Sequence, residues 1–425
     1  SEAVGGICGW ANDTNYLTNC AFIGTINNVG GDTQTISRNP GNMRSTNVYS
    51  LHNFNVGGDV SLYTLLENED AAKSGELAYL LNGKEEGLDR FYQKIGEDEY
   101  PLPIKKEGAL VYTSAETYGC DGKPIGNITY SNTYTAVVPS HQYSDGMCTI
   151  CGHLAEDYMT PVDGWYEIGN AAQLMWWAHY AAEVDLGVSA RLTADINMEE
   201  YSATYPNRSY PQIGNETTPF YGNFDGQYHT ISNLEINLPG KRGAGLIGVM
   251  NSQPSNGFGG LSAEEARAAE GVFVKNVVLD KTCSILGQGY TGVVGMAANW
   301  PGHITISGVL NMGDATVDGG TNGAGLFGCA MGSNCHMTIS NCGFIGNIHV
   351  FNDTHTENGL FSGWLGQYAE VTNCLSMGTI DAYPDPARSW ARHPNYNTIV
   401  IKNCYALEGS GVTETGYDSN PEDVT

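Results

Sequence analysis

A short glycine-rich motif recurs five times in this chain of 425 residues, and it constrains the fold more than any other feature. The copies are Gly6-Ile7-Cys8-Gly9, Gly245-Leu246-Ile247-Gly248, Gly292-Val293-Val294-Gly295, Gly325-Leu326-Phe327-Gly328 and Gly359-Leu360-Phe361-Ser362. In the second half, the last two steps between leading glycines differ by one residue, and the longer step from Gly245 to Gly292 contains a helix-prone insertion at 261–270. A near-constant period is typical of repeat proteins, in which each unit buries its apolar face only against its neighbours.

Short β-strands are predicted after each motif, because β-branched residues alternate there with polar ones. Examples are Leu17-Thr18-Asn19-Cys20, Ile339-Ser340-Asn341-Cys342, Val371-Thr372-Asn373-Cys374 and Ile401-Lys402-Asn403-Cys404. A further strand follows a glycine in each unit, as in Gly346-Asn347-Ile348. We therefore expect a mainly β fold whose second half is a right-handed parallel β-helix, with helical caps and a small cysteine-rich insert.

Stacked coils would place equivalent residues of successive units above one another. Two such rows are predicted, the asparagines Asn341, Asn373 and Asn403 and the cysteines Cys342, Cys374 and Cys404. Asparagine tolerates a left-handed backbone, and its side-chain amide can pair along a stack. We interpret the cysteines as small buried apolar residues rather than as a metal or redox site.

These motifs resemble those of the GLUG-motif family of bacterial surface proteins, over most of residues 160–406 and the opening coil. Two further runs carry the resemblance: Gly164-Trp165-Tyr166-Glu167-Ile168, before a helix predicted over 170–182, and Tyr221-Gly222-Asn223-Phe224-Asp225-Gly226-Gln227-Tyr228-His229-Thr230-Ile231. The resemblance implies a secreted or wall-attached solenoid used for adhesion or carbohydrate contact, and it defines no catalytic residue set. Some members carry a metallopeptidase domain, as in immunoglobulin A proteases, but the His-Glu-x-x-His run of such domains does not occur here.

Changes in composition divide the chain into five predicted segments. Residues 1–45 are the terminal coil or coils of a first β-helix, and residues 46–106 are a capping segment with a helix that ends near Gly83. Residues 107–160 form a small Cys/His knuckle module. Residues 161–410 form the second β-helix with its N-terminal capping helix, and residues 411–425 form a polar tail.

The small module holds the strongest candidate for metal chemistry in the sequence. Cys148 and Cys151 form a Cys-x-x-Cys-Gly knuckle, and Cys120 and His141 can complete a tetrahedral set. Such a structural zinc site would stabilise a module too small for a large core of its own. A disulfide bond in an oxidising exterior and free thiols remain alternatives.

The charge of the chain argues against nucleic acid as a partner, and its hydropathy argues against a membrane-spanning segment. With 46 acidic and 19 basic residues the formal charge is −27, which opposes contact with nucleic acid. No stretch approaches the roughly 20 apolar residues of a membrane-spanning helix.

Aromatic side chains near one edge of the coils indicate sugar binding, since an indole face can stack on a pyranose ring. Trp300 and Trp364 each follow a glycine motif by a few residues, as does Trp10. A second group lies in the loop 383–396. Its candidate ligand-binding residues are Arg388, Trp390, Arg392 and His393.

Parallel β-helices often degrade polysaccharides, so polar side chains of the second half are also candidates for catalysis. Beside the arginines and His393 above, these candidates are Asp314, Asp318, His355 and Glu357. Their spacing matches no catalytic signature, and we expect exposed edge residues.

We therefore predict an extracellular or bacterial cell-surface adhesin or glycan-binding protein without catalytic activity of its own. Its partners would be host or dietary glycans or host surface proteins. The alternatives are a β-helical glycoside hydrolase or lyase acting around residues 388–393, and a structural spacer or filament subunit of a larger surface protein.

Overall fold

The structure is a computed structural model, and it describes residues 4–10, 12–27, 33–54, 59–66, 68, 70–84, 90–256, 260–330, 335–351, 358–381, 388–391 and 398–407. The described chain is mainly β, as predicted, and it forms two compact units, Ser1–Gln142 and Tyr143–Thr425. The boundary between the units falls inside the predicted knuckle module of residues 107–160. The predicted tail, 411–425, lies outside the described residues.

The first unit contains short strands and two short α-helices. Its strands are β1 Val4–Gly5, β2 Asn15–Phe22, β3 Thr33–Gln34, β4 Met43–Ser50, β5 Thr64–Leu65, β6 Tyr112–Ser114, β7 Thr117–Tyr118, β8 Pro124–Ile125 and β9 Thr129–Ser131. Its helices are α1 Ala71–Ser74 and α2 Glu76–Leu81, with 3-10 turns at Pro40–Asn42 and Val60–Leu62. Helix α2 agrees with the predicted helix, and Gly83 follows it with φ 83°.

Two stacked coils open the first unit, although only one carries the glycine motif. Strand β1 pairs in parallel with β3, and β2 pairs in parallel with β4. The second coil contains Thr35-Ile36-Ser37 where the first has the motif, and the buried carboxylate of Asp59 accepts hydrogen bonds from the backbone of Ile36 and Ser37 at 2.6 and 2.9 Å. The second coil therefore runs across the predicted segment boundary at residues 45 and 46.

The second unit begins with a hairpin and continues as stacked coils. Its first strands are β10 Tyr143–Ser144, β11 Met147–Cys148, β12 Trp165–Ile168, β13 Ser189–Leu192, β14 Ile196–Asn197, β15 Phe224–Ser232, β16 Glu235–Leu238 and β17 Ile247–Met250. The later ones are β18 Val272–Leu279, β19 Ser284–Gly287, β20 Val294–Ala297, β21 Gly302–Ser307, β22 Leu310–Asn311, β23 Asp314–Asp318, β24 Phe327–Ala330, β25 Cys335–Ser340, β26 Gly343–Phe344, β27 Asn347–Phe351, β28 Asn358–Trp364, β29 Tyr368–Thr372, β30 Leu375–Ser376, β31 Thr379–Asp381, β32 Arg388–Ala391, β33 Ile399–Lys402 and β34 Tyr405–Ala406. The helices are α3 Ala171–Glu183, α4 Glu199–Thr204 and α5 Ala263–Ala268.

Three sheets are built from successive coils of the second unit. One sheet has the order β16-β19-β23-β27-β31, a second has the order β17-β20-β24-β28-β32, and a third contains β18, β21, β25, β29 and β33. Every strand pair in these three series is parallel. The third sheet also contains β22, β26, β30 and β34, so each of the later complete coils contributes two strands to it and one to each of the other sheets.

The predicted asparagine row is confirmed. Asn341, Asn373 and Asn403 all have φ between 53° and 56°, the left-handed region. The amide of Asn403 donates to Asn373 at 3.2 Å, and that of Asn373 donates to Asn341 at 3.3 Å. The first unit repeats the arrangement, because Asn47 donates to Asn19 at 3.0 Å and both residues have φ 52°.

The second glycine of each motif allows adjacent coils to approach closely. A Cβ at Gly295 would lie 2.7 Å from the oxygen of Gly248, and a Cβ at Gly328 would overlap the oxygen of Gly295. In the fifth copy, the sequence pattern places Ser362 in this row. The structure pairs Phe327 with Ser362 and therefore places Gly363 in the row. The coil is offset by one residue, so that the position against backbone is again a glycine.

Helices α3 and α5 agree with the two helices predicted for this unit. Asn170 caps α3 by accepting a hydrogen bond from Gln173 N, and Ser262 forms a capping box with Glu265 at the start of α5. Helix α3 buries Trp176 and Trp177 completely in the core of the second unit. Among the described residues, none of the helices combines the length and apolar character needed to cross a bilayer.

Candidate metal centre

Four side chains of the predicted knuckle come together as a candidate metal site. The ligand atoms of Cys120, His141, Cys148 and Cys151 all lie within 4.8 Å of one another. Tetrahedral zinc with Zn–S bonds of about 2.3 Å needs ligand separations of roughly 3.8 Å, so a small adjustment would seat the ion. The predicted residue set is the one that the structure brings together.

Cys120 and His141 are positioned by a small hairpin and a bridge. Strands β7 and β8 pair antiparallel, and Cys120 lies in the turn that joins them. Ser140 donates from its backbone N–H and from its hydroxyl to the carbonyl of Tyr118, both at 3.2 Å. These bonds fix the chain beside the hairpin, and His141 follows directly.

Cys148 and Cys151 are positioned by a second hairpin. Strands β10 and β11 pair antiparallel through the turn Asp145-Gly146, in which both residues have positive φ, 50° and 76°. This geometry is that of a type I′ turn, and an Asp-Gly pair between short strands is its usual sequence signal. The backbone N–H of Gly152 then donates to Cys148 O at 3.0 Å, which closes the knuckle.

The second hairpin is anchored to the core of its own unit. Met147 is buried with Leu154 in that core. A Cβ at Gly146 would lie 2.7 Å from the indole of Trp176, and Trp176 Nε1 donates to Ala155 O at 2.9 Å. The glycine is therefore required both for its φ and for the close approach of the hairpin to α3. Cys148 is held in place by this packing.

The donor set fits a thiophilic divalent ion. Three thiolates and one imidazole are ligands that zinc prefers, and four protein ligands leave no coordination position open for substrate.

All eleven cysteines lie in the described part of the chain, and no disulfide bond joins any two of them.

The other cysteines of the second unit are buried as apolar side chains, as predicted. Burial raises the pKa of Cys283 to about 11. The hydrogen bond that the Cys374 thiol donates to Cys342, together with burial, raises the pKa of Cys374 to about 12. A thiol with such a pKa stays protonated at neutral pH, so these cysteines are poor nucleophiles and poor metal ligands.

The predicted tryptophan platform is only partly described. Trp300 is 8% exposed, belongs to a small cluster with Met296 and Cys329, and donates from its indole N–H to Gln253 O at 3.1 Å. Trp364 is half-buried against this cluster. The expectation of an exposed indole at Trp300 is wrong, because the aromatic fills space beside the glycine row.

The remaining predicted ligand residues are described only in part or not at all. Strand β32 includes Arg388 and Trp390, but their side chains lie outside what the structure describes. Arg392 and His393 lie outside the described residues altogether. His355 and Glu357, candidates for catalysis, also lie outside the described residues.

The two aspartates that were catalytic candidates lie on β23. Asp314 Oδ1 accepts hydrogen bonds from the backbone and the amide of Asn347 at 2.8 and 3.1 Å, and its other oxygen lies 3.9 Å from His349 Nε2. Asp318 ends the strand and pairs with Phe351. Asp314 thus links adjacent coils through hydrogen bonds.

Comparisons with known proteins find little similarity. No protein-family model matches the chain, and no curated protein matches it. One solved structure is similar, the crystal structure of a protein from Bacteroides ovatus described as a putative immunoglobulin A1 protease. The identity is 16%, the TM-score is 0.38, and the match covers 61% of this chain and 80% of the other.

Proposed function

We propose that the chain is a secreted or cell-surface protein of the GLUG-motif type, built on a right-handed parallel β-helix, that acts by binding glycans rather than by catalysis. The coil-by-coil pairing of three parallel sheets supports the β-helix. Such a scaffold offers long, regular surfaces on which extended ligands can bind.

The closed Cys/His cluster is the observation that carries the proposal of a structural rather than a catalytic role for the metal. A catalytic zinc keeps one position for water or substrate, whereas Cys120, His141, Cys148 and Cys151 supply all four ligands themselves. We assign the site to structural zinc. When bound, zinc would add its binding energy to folding.

Exposed aromatic side chains support binding to sugars. Trp10 and Tyr16 on the first unit and Tyr228 on the second present most of their side chains to solvent. Aromatic faces contribute to carbohydrate recognition because the C–H groups of a sugar pack against them while its hydroxyls stay hydrated. The net charge of −27 favours neutral rather than anionic glycans.

The test combines metal analysis with a glycan array on the purified chain. We expect about one zinc per chain, loss of that zinc in Cys151→Ser, and retention in Cys8→Ser, which changes a half-buried cysteine of the first coil. We also expect binding to neutral glycans without new reducing ends or unsaturated products. Cleavage of any glycan would contradict the non-enzymatic proposal, and a disulfide between Cys148 and Cys151 in the purified chain would contradict the zinc assignment.

A further inference from the structure

A cleft in the second unit lies beside the β10–β11 hairpin, and its lining includes none of the candidate tryptophans. It has a volume of about 350 Å³, and the hairpin turn, the start of α3 and helix α4 form its walls. This volume falls in the range of small-ligand sites. Its lining combines three tyrosines with carboxylates and side-chain amides.

The tyrosines form the apolar floor of the cleft. Tyr201 is buried, and Tyr158 and Tyr205 are half-buried. The rings of Tyr201 and Tyr205 lie 4.9 Å apart between centroids at an angle of 52°. Tyr201 thus packs behind Tyr205, and the partly exposed rings of Tyr158 and Tyr205 suit the apolar face of a pyranose ring.

Arg208 holds this floor against the hairpin. Its guanidinium lies 3.8 Å from the centroid of the Tyr205 ring and donates to the hydroxyl of Tyr201 at 3.0 Å. The same group donates to the backbone carbonyls of Ser144 and Met147 at 3.3 and 3.1 Å. The rings and the hairpin are therefore positioned before any ligand arrives.

The rim supplies free hydrogen-bonding groups of both kinds. No described residue donates a hydrogen bond to the exposed carboxylate of Glu200. The oxygen of Asn170 accepts from Gln173 N at 3.0 Å, and that of Asn197 accepts from Asn233 at 2.8 Å. Within the described part of the chain no group accepts from the amide N–H groups of Asn170 and Asn197, so these remain available as donors. Sugar hydroxyls both donate and accept, so they complement such a rim.

We propose that this cleft binds a saccharide ring of a neutral glycan, with the sugar face on Tyr158 and Tyr205 and its hydroxyls on Glu200 and Asn197. This inference rests on the proposed glycan-binding function and gives that function a location. An organic cation fits less well, because the positive charge of Arg208 already lies over Tyr205 and offsets one of the two carboxylates, Asp145 and Glu200.

The test uses the full chain on an array of neutral oligosaccharides of glucose, galactose, mannose, fucose and N-acetylhexosamines, followed by calorimetric titration of the strongest hit. We expect Glu200→Gln to weaken binding about tenfold, since a charge-assisted hydrogen bond to a hydroxyl is lost. The matched control is Glu199→Gln, the exposed neighbour on the same helix that does not line the cleft, and we expect no change.

Tyr205→Phe provides a second variant that keeps the ring but removes the hydroxyl, and Tyr205→Ala removes the stacking face. We expect the former to weaken binding only about threefold, since it loses the hydrogen bond to Asp145 but keeps the ring, and the latter to lose binding, with circular dichroism confirming that both fold. Array hits with the same affinity in Glu200→Gln and Tyr205→Ala would overturn the cleft and leave the glycan function standing. No hit on the array would overturn both, and stoichiometric binding of choline or lysine at the cleft instead would identify an organic-cation site.

Discussion

The side chain of Asn373 donates a hydrogen bond to Asn341 at 3.3 Å, and the two residues share φ values of 56° and 55°. Each asparagine thus does two things: it adopts a left-handed backbone at the turn and links its coil to the next. The same pair of properties recurs at Asn19 and Asn47 in the first unit. This repetition makes the contribution of the asparagine row measurable.

We expect Asn373→Ala to destabilise the second unit by about 1–2 kcal/mol, because alanine loses the ladder hydrogen bonds and strains a left-handed position. Asn373→Gly loses the same hydrogen bonds without that strain, so it should cost less. Urea unfolding followed by circular dichroism measures both. Equal losses in the two variants would show that backbone strain plays no part.

The cost of replacing a motif glycine by alanine should depend strongly on which copy of the motif is changed. We expect Gly328→Ala to destabilise the chain by about 2–4 kcal/mol, because the new Cβ would overlap backbone atoms of the neighbouring coil that cannot rotate away. Gly9 holds the same place in the first motif, but a Cβ added there would meet no atom within 4 Å, so Gly9→Ala is the matched control. Thermal unfolding of the two variants gives the comparison, and a tolerated Gly328→Ala would contradict the register of the glycine row.

Much of this arrangement could be predicted from the sequence because it depends on local periodicity. The stacking of successive strands and the asparagine row follow from the period of the repeat. Helices α2 and α3 and the four metal ligands follow from local sequence signals. The offset that places Gly363 rather than Ser362 in the glycine row does not, since it depends on which residue meets the backbone of the coil before it. The burial of Trp300 likewise depends on packing between adjacent coils, which the sequence pattern does not show.

The cleft could not be predicted from the sequence either. Its walls come from the 143–148 hairpin, the cap of α3 and helix α4, which only the tertiary fold brings together. The Asp145-Gly146 pair was a local signal for the hairpin. Nothing local indicates that Arg208 would bind the hairpin carbonyls and cover Tyr205.

The second unit should lose stability at alkaline pH. The pKa values of Cys283, about 11, and Cys374, about 12, are raised above the ordinary thiol value, so the unfolded chain releases these protons first. The stability from these groups is complete below the unfolded pKa and falls as pH rises through the folded values. Urea midpoints should therefore fall from about pH 9, near the unfolded thiol value, up to about pH 12, the folded value of Cys374. A smaller fall in Cys283→Ala would support this cause, and an unchanged profile in the parent chain would contradict it.

Removing zinc should weaken saccharide binding without touching the cleft itself. Asp145 lies at the tip of the β10–β11 hairpin and accepts a hydrogen bond of 2.6 Å from the Tyr205 hydroxyl, while Cys148 ends the same hairpin. Loss of the metal would free Cys148 and Cys151, allow the hairpin to fluctuate, and reduce the fraction of chains with a formed cleft. We expect a chelator to weaken binding about three- to tenfold, and added zinc to restore it. Cys151→Ser should show the weaker affinity with and without chelator, whereas Cys8→Ser should behave as the parent. Equal affinity of the parent chain with and without zinc would show that packing on Trp176 and Arg208 alone maintains the hairpin.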